Sequence, residues 1–131
     1  MLTGINKIFT FVDDRVKARD FWVQKMGFIL YRDFGDCPGQ DWVEILAPDQ
    51  RAGIVVAPRP EGMPSTSGQL SYLAFWCEDV REKRAELEAR GVEFIDEIVE
   101  ESWGLSTTFV DEEGTQFNLS ERKEIVTDFA A

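Results

Sequence analysis

The chain has 131 residues, 44% of them apolar and 12% aromatic, with 25 acids against 14 bases and no histidine. A chain of this size buries roughly two-thirds of its unfolded surface, so its core needs neither metal nor disulfide, and disordered, collagenous and disulfide-scaffold classes are excluded. The formal charge of −11 opposes phosphate backbones and anionic lipid, which argues against nucleic acid and membrane partners, and the missing imidazole removes the commonest general base, the commonest zinc ligand and every Ser-His or Cys-His nucleophile.

Along the chain, Lys-Ile-Phe-Thr-Phe-Val from Lys7 reads as a strand, Asp13-Asp14 as an acidic cap, residues 15–26 as a helix of about three turns and Gly27 as its stop. Three β-like runs follow at residues 28–34, 42–46 and 53–57, separated by Gly- and Pro-containing turns. The stretch 58–68, rich in Pro, Gly and small polar residues, cannot sit in a sheet and reads as a connector. From Tyr72 the pattern recurs after about 65 residues: a strand, Glu78-Asp79 as cap, a helix over 80–90, Gly91, then strands over 92–99, 105–110 and 116–120 with Glu112-Glu113-Gly114 as the last tight turn. Each half is therefore βαβββ, and neither half of about 60 residues is large enough to be comfortably stable alone. The acids at 96–97, 100–101 and 111–113 are expected on solvated faces or turns.

Cys37 and Cys77 lack CxxC spacing, which fits free thiols in a reducing compartment. No stretch approaches about 18 apolar residues, and no basic segment followed by an apolar one opens the chain. The expectation is a soluble cytoplasmic protein.

The tandem pattern, with Phe11-Val12-Asp13-Asp14 leading to Phe21-Trp22 and Gly27-Phe28, then Leu73-Ala74-Phe75, Glu78-Asp79-Val80, Ala85-Glu86-Leu87, Gly91-Val92, Trp103-Gly104, Phe109-Val110-Asp111, Glu113-Gly114 and Phe117-Asn118-Leu119, resembles the vicinal oxygen chelate superfamily. That group joins glyoxalase I, bleomycin-resistance proteins and extradiol dioxygenases; Glu112 stands where its closing motif usually has proline. The resemblance implies an α+β fold in which tandem βαβββ modules form a cupped mixed β-sheet with helices on the outer face. The modules would span about 4–58 and 70–121, joined by a connector at 59–69, and pack as a single domain over 1–131. It also implies homodimers, with each site partly shared across the interface.

Metal-dependent members carry ligands at positions that correspond here to Lys7, Val55, Tyr72 and Asn118. An ammonium has no lone pair at neutral pH, valine has no donor, a phenol is a poor ligand and a lone amide oxygen binds weakly. The expected metal is none, and the expected cofactor is none. Strand alternation that places Lys7, Tyr72 and Asn118 in the cup adds Phe9, Phe11, Trp76 and Gln116. The opposite parity, Ile8, Val12, Leu73, Phe75, Cys77, Phe117 and Leu119, falls under the helices. Trp42 and Trp103 are placed at the rim. If strand three alternates with Trp42 inward, Glu44 faces the cup as well, where it can pair with Lys7 or meet a ligand cation. Rings flanked by amides stack planar ligands, and tryptophan faces with surplus carboxylates favour cations.

The reading is a metal-independent, non-catalytic binding protein of the bleomycin-resistance type that sequesters a small aromatic or cationic molecule, such as a drug or natural product. The alternatives are a divalent-metal-dependent glyoxalase-like lyase, isomerase or dioxygenase, and a dimeric domain acting through partners alone.

Overall fold

The computed structural model describes residues 1–35, 39 and 41–122; Cys37 lies outside the described residues. The chain divides into two compact units between Ser65 and Thr66, each carrying its own mixed sheet.

Unit 1 runs β1 (Lys7–Val12), α1 (Arg15–Asp20), a π-helical segment (Phe21–Lys25), β2 (Ile29–Asp33), β3 (Val43–Leu46) and β4 (Gly53–Pro58). Its sheet has the order β1-β4-β3-β2, with β1 and β4 parallel and the other pairs antiparallel. Asp14 starts α1 as expected, its carboxylate accepting from the amides of Val16 and Lys17 at 3.1 Å each, which satisfies two orphan donors of the first turn. The expected continuous helix over 15–26 instead widens at Phe21, where the Met26 amide bonds the Phe21 carbonyl at 3.0 Å. Both Phe21 and Trp22 are buried there, their rings edge-on at 5.2 Å, and Trp22 also meets Phe28 at 5.3 Å. Gly27, at φ 78, takes the left-handed conformation that ends the helix and lets Phe28 fold back. Helix α1 packs on β3 and β4, and the core gathers Ala18, Phe21 and Trp22 with Val12, Val43, Ile45, Ile54 and Val56.

Unit 2 runs β5 (Leu70–Trp76), α2 (Val80–Ala89), β6 (Glu93–Phe94), β7 (Val99–Glu101), β8 (Gly104–Val110) and β9 (Gln116–Arg122). The order is β5-β9-β8-β6, with β7 also on β8; β5 and β9 are parallel. Asp79 caps α2 through the Glu82 amide at 3.0 Å, and Glu121 reaches from β9 to take the Val80 amide at 2.8 Å. The strand expected over 92–99 is broken into β6 and β7. Asp96 breaks it: one carboxylate oxygen accepts from the Thr108 amide and the Thr107 hydroxyl, 2.9 Å each, while its carbonyl accepts from Arg84 at 2.6 Å, so side chains take over from the ladder. Phe75, Phe109 and Phe117 form the aromatic core, with Phe109 and Phe117 stacked at 5.5 Å, and α2 packs on β6, β8 and β9.

The segment 59–69 contains no strand, and Gly68 is tied to the β8–β9 turn through its amide and the Gly114 carbonyl at 2.9 Å. Within that turn Asp111 departs from the solvated reading. It is 8% exposed and its carboxylate accepts from the amides of Glu113 and Thr115; burial outweighs these bonds and pushes its pKa up.

Candidate functional site

In unit 1, Val43, Ile45, Ile54, Val56 and Val12 occupy the buried, helix-side parity. Lys7, Phe9, Phe11, Glu44 and Val55 therefore share the opposite face. Glu44 does face with Lys7: one carboxylate oxygen accepts from the Lys7 ammonium and from the Trp42 indole N–H, both at 3.4 Å. Trp42 precedes β3 and stacks obliquely on Phe34 at 5.1 Å. Phe9 is 58% exposed, a ring held out on a strand rather than packed in a core. A cavity of about 400 Å³ opens beside Lys7 and Glu44, and Asn6, Tyr31, Arg32 and Gln50, none singled out by the sequence, also line it.

In unit 2, Phe117 and Leu119 of β9 are buried on the core side, while Gln116 and Asn118 lie on the other parity with Ser120, which is buried as well. The Asn118 amide nitrogen donates to the Ser106 hydroxyl and to the Thr107 carbonyl, and its oxygen accepts from the Ser120 hydroxyl. The cross-strand rows are Trp76–Ser120–Ser106 and Ala74–Asn118–Thr108. Trp76 and Trp103, 57% and 46% exposed, meet edge to face at 6.3 Å. With Ala74, Asn118 and Ser120 they line a cavity of about 290 Å³. Small Ala74 leaves room beside the indole, and the asparagine–serine chain gives that cavity a fixed polar floor. Ser106 and Ser120 are the parts missed from sequence; the period of two along β9 was the signal that could have found Ser120.

Two expected residues stand apart from this arrangement. Gln116 donates its amide to the Gly68 carbonyl at 3.3 Å, holding the connector. Tyr72 shares the open parity with Trp76 but lies where the β5–β9 register shifts, fully exposed and away from the cavity lining.

The metal positions implied by the resemblance are occupied by groups that do not make a donor set. Lys7 is held by Glu44 as an ammonium, Val55 offers no donor, and both ends of the Asn118 amide are engaged within the sheet. Among the described residues no three His, Cys, Asp or Glu converge. Strong N, O or S ligands in tetrahedral or octahedral number are what a transition metal requires, so the residues present do not fit one. No helix among the described residues is long and apolar enough to cross a membrane. Cys77 is free, and burial pushes its thiol up to about 11, far from the thiolate a nucleophile needs.

The chain is similar to YetH of Bacillus subtilis, itself described as uncharacterized, with 30% identity over 121 residues that make up 92% of this chain and 100% of YetH. Among solved structures, a glyoxalase/bleomycin resistance protein/dioxygenase superfamily member from Sphaerobacter thermophilus superposes with a TM-score of 0.80 at 25% identity, covering 92% of this chain and 98% of that one. TnmS3, an antibiotic binding protein from a Streptomyces species, also reaches 0.80, at 26% identity over 93% of this chain and 98% of its own. The sequence model of one family matches residues 4–119, which include both βαβ starts, both aspartate caps and β8. Together with the parallel β1–β4 and β5–β9 pairs, this match shows that the chain belongs to the Glyoxalase/Bleomycin resistance protein/Dioxygenase superfamily.

Proposed function

We propose that this chain is a small-molecule binding protein that works without a metal ion and sequesters an aromatic or cationic ligand. The observation that carries the reading is the unit 2 cavity, where two half-exposed indoles stand over a polar floor. Planar rings gain from stacking on an indole, and a ligand cation gains from its π face; the −11 charge attracts the same ligands at long range. In unit 1, Phe9, Phe11 and Trp42 offer further ring surface, with Lys7 and Glu44 as its polar groups. The likeness to TnmS3, an antibiotic binding protein, supports the same reading. The protein acts as a homodimer in a reducing, cytoplasmic setting, for which light scattering should report about twice 15.0 kDa.

The test is a fluorescence titration with planar aromatic compounds, cationic and neutral. Saturable quenching of tryptophan emission that weakens in Trp76→Ala supports the reading. Quenching that is never saturable, or that Trp76→Ala leaves unchanged, removes it.

A further inference from the structure

The unit 1 cavity carries chemistry opposite to that of a cation trap, and the cause is a bulge in β2. Leu30 pairs with Ile45 and Arg32 with Glu44, so two residues of β2 oppose one step of β3 and Tyr31 is the extra residue. In a regular strand Arg32 would share the face of Leu30, the helix side on which Ile45 is buried. The bulge swings it instead onto the face of Glu44, and both Tyr31 and Arg32 then line the cavity. The guanidinium lies over the Tyr31 ring at 4.8 Å and donates to the Tyr31 hydroxyl at 3.2 Å. Glu44, its cross-strand neighbour, attracts the guanidinium, but among the described residues the ion-pair contact of that carboxylate is with Lys7. Across the cavity lining the charges are Lys7 and Arg32 against Glu44, one positive charge in surplus in a chain that is otherwise strongly acidic. Gln50 at the β3–β4 turn adds its residue to the lining while holding φ at 61, a conformation that glycine takes more easily and that non-glycine residues keep where something else requires them.

We infer that this cavity binds a monocarboxylate with an apolar or aromatic body, its carboxylate on Arg32 and its body on Tyr31 and Leu46. A planar fork of N–H donors with most of its bonds free matches a carboxylate in two-point geometry, and one surplus charge matches a monoanion, since a phosphate dianion would meet the Glu44 carboxylate. The volume of about 400 Å³ lies within the range of small-molecule sites. The inference rests on unit 1 alone and does not depend on the indole cavity of unit 2.

The experiment is a titration of the full chain with benzoate, benzamide and inorganic phosphate, followed by NMR on the Trp42 indole N–H, which bonds Glu44, and on the Arg32 Nε–H. Benzoate should shift both resonances saturably, with benzamide and phosphate at least about tenfold weaker. Arg32→Gln should weaken benzoate about tenfold or more with an unchanged melting temperature, because Arg32 is exposed. Because the Trp42 and Arg32 resonances both report on unit 1, the readout separates this site from the indole cavity. Equal affinity for benzoate and benzamide at these two resonances, phosphate binding as tightly as benzoate, or full benzoate affinity in Arg32→Gln would each overturn the assignment.

Discussion

Replacing Trp76 with alanine separates a ligand platform from a packing residue, because the two roles differ in magnitude. A tryptophan buries about 200 Å² when fully packed, and Trp76 is 57% exposed, so a little under half of that area is out of water. At about 25 cal/mol per Å² the loss comes to roughly 2 kcal/mol, to which the edge contact with Trp103 at 6.3 Å adds about 0.5 kcal/mol. A core tryptophan would cost about 3–5 kcal/mol. Urea denaturation of the variant should therefore show a fall of about 2–2.5 kcal/mol. Affinity for a planar aromatic ligand should drop by about 1–3 kcal/mol, or roughly 5- to 150-fold, the scale for losing an aromatic anchor. A variant that loses about 4 kcal/mol or more while keeping full ligand affinity would mean that Trp76 packs the fold and not the ligand.

Thr107→Val keeps the shape of a buried side chain but removes the hydroxyl that joins Arg84 and Asp96 at 2.8 and 2.9 Å, one bond from each while their others remain; urea melts should show a loss of about 1–3 kcal/mol, and a neutral result would mean the hydroxyl contributes nothing. Asp111 titrates above the ordinary 3.8 because burial disfavours its charge, so the folded state holds the proton longer than the unfolded chain. Stability from this group accordingly falls as pH rises from 3.8 to the raised value. Asp111→Asn removes that component, and the difference in unfolding free energy between parent and variant should change with pH in this window and be flat above it. Cys77, with its thiol pushed up to about 11, should react with iodoacetamide at neutral pH far more slowly than free cysteine when measured in a Cys37→Ser background, and faster near pH 10; a rate matching free cysteine at neutral pH would contradict its burial.

The parts of the fold that follow from a period of two or from a cap were legible in the sequence. Phe117 and Leu119 against Gln116 and Asn118 sort by alternation alone, and the structure buries the first pair. Asp14 and Asp79 accept first-turn amides, as an aspartate before an apolar-periodic run does. Whether Glu44 faces outward or meets Lys7 was open in the sequence; the register that pairs Lys7 with Gly53 and Glu44 with Val55 brings them to one face. What the sequence concealed arises where side chains compete with the backbone pattern. Nothing local marks residues 15–26 for a wider turn at Phe21, since apolar spacing of three and four suits either helix. Asp96 breaks a strand only because Thr107, Thr108 and Arg84 come to it from elsewhere in the chain. The bulge at Tyr31 has no glycine to announce it, and so the cavity residues Tyr31 and Arg32 were invisible to a reading that counts alternate positions. Ser106 comes to hold Asn118 through its pairing with Ser120, a register that only the folded sheet defines.

Metal-independent ligand binding is tested most directly by measuring metal content and affinity on one sample. The protein is dialysed exhaustively against a chelator, its transition metals are quantified by elemental analysis, and the same material is titrated with a planar aromatic cation by tryptophan fluorescence. Metal-independent binding predicts metal far below one equivalent per chain and saturable binding with the same affinity before and after chelation. About one equivalent of Zn, Ni, Fe or Mn surviving dialysis, or binding that vanishes with the metal and returns when it is restored, would contradict it.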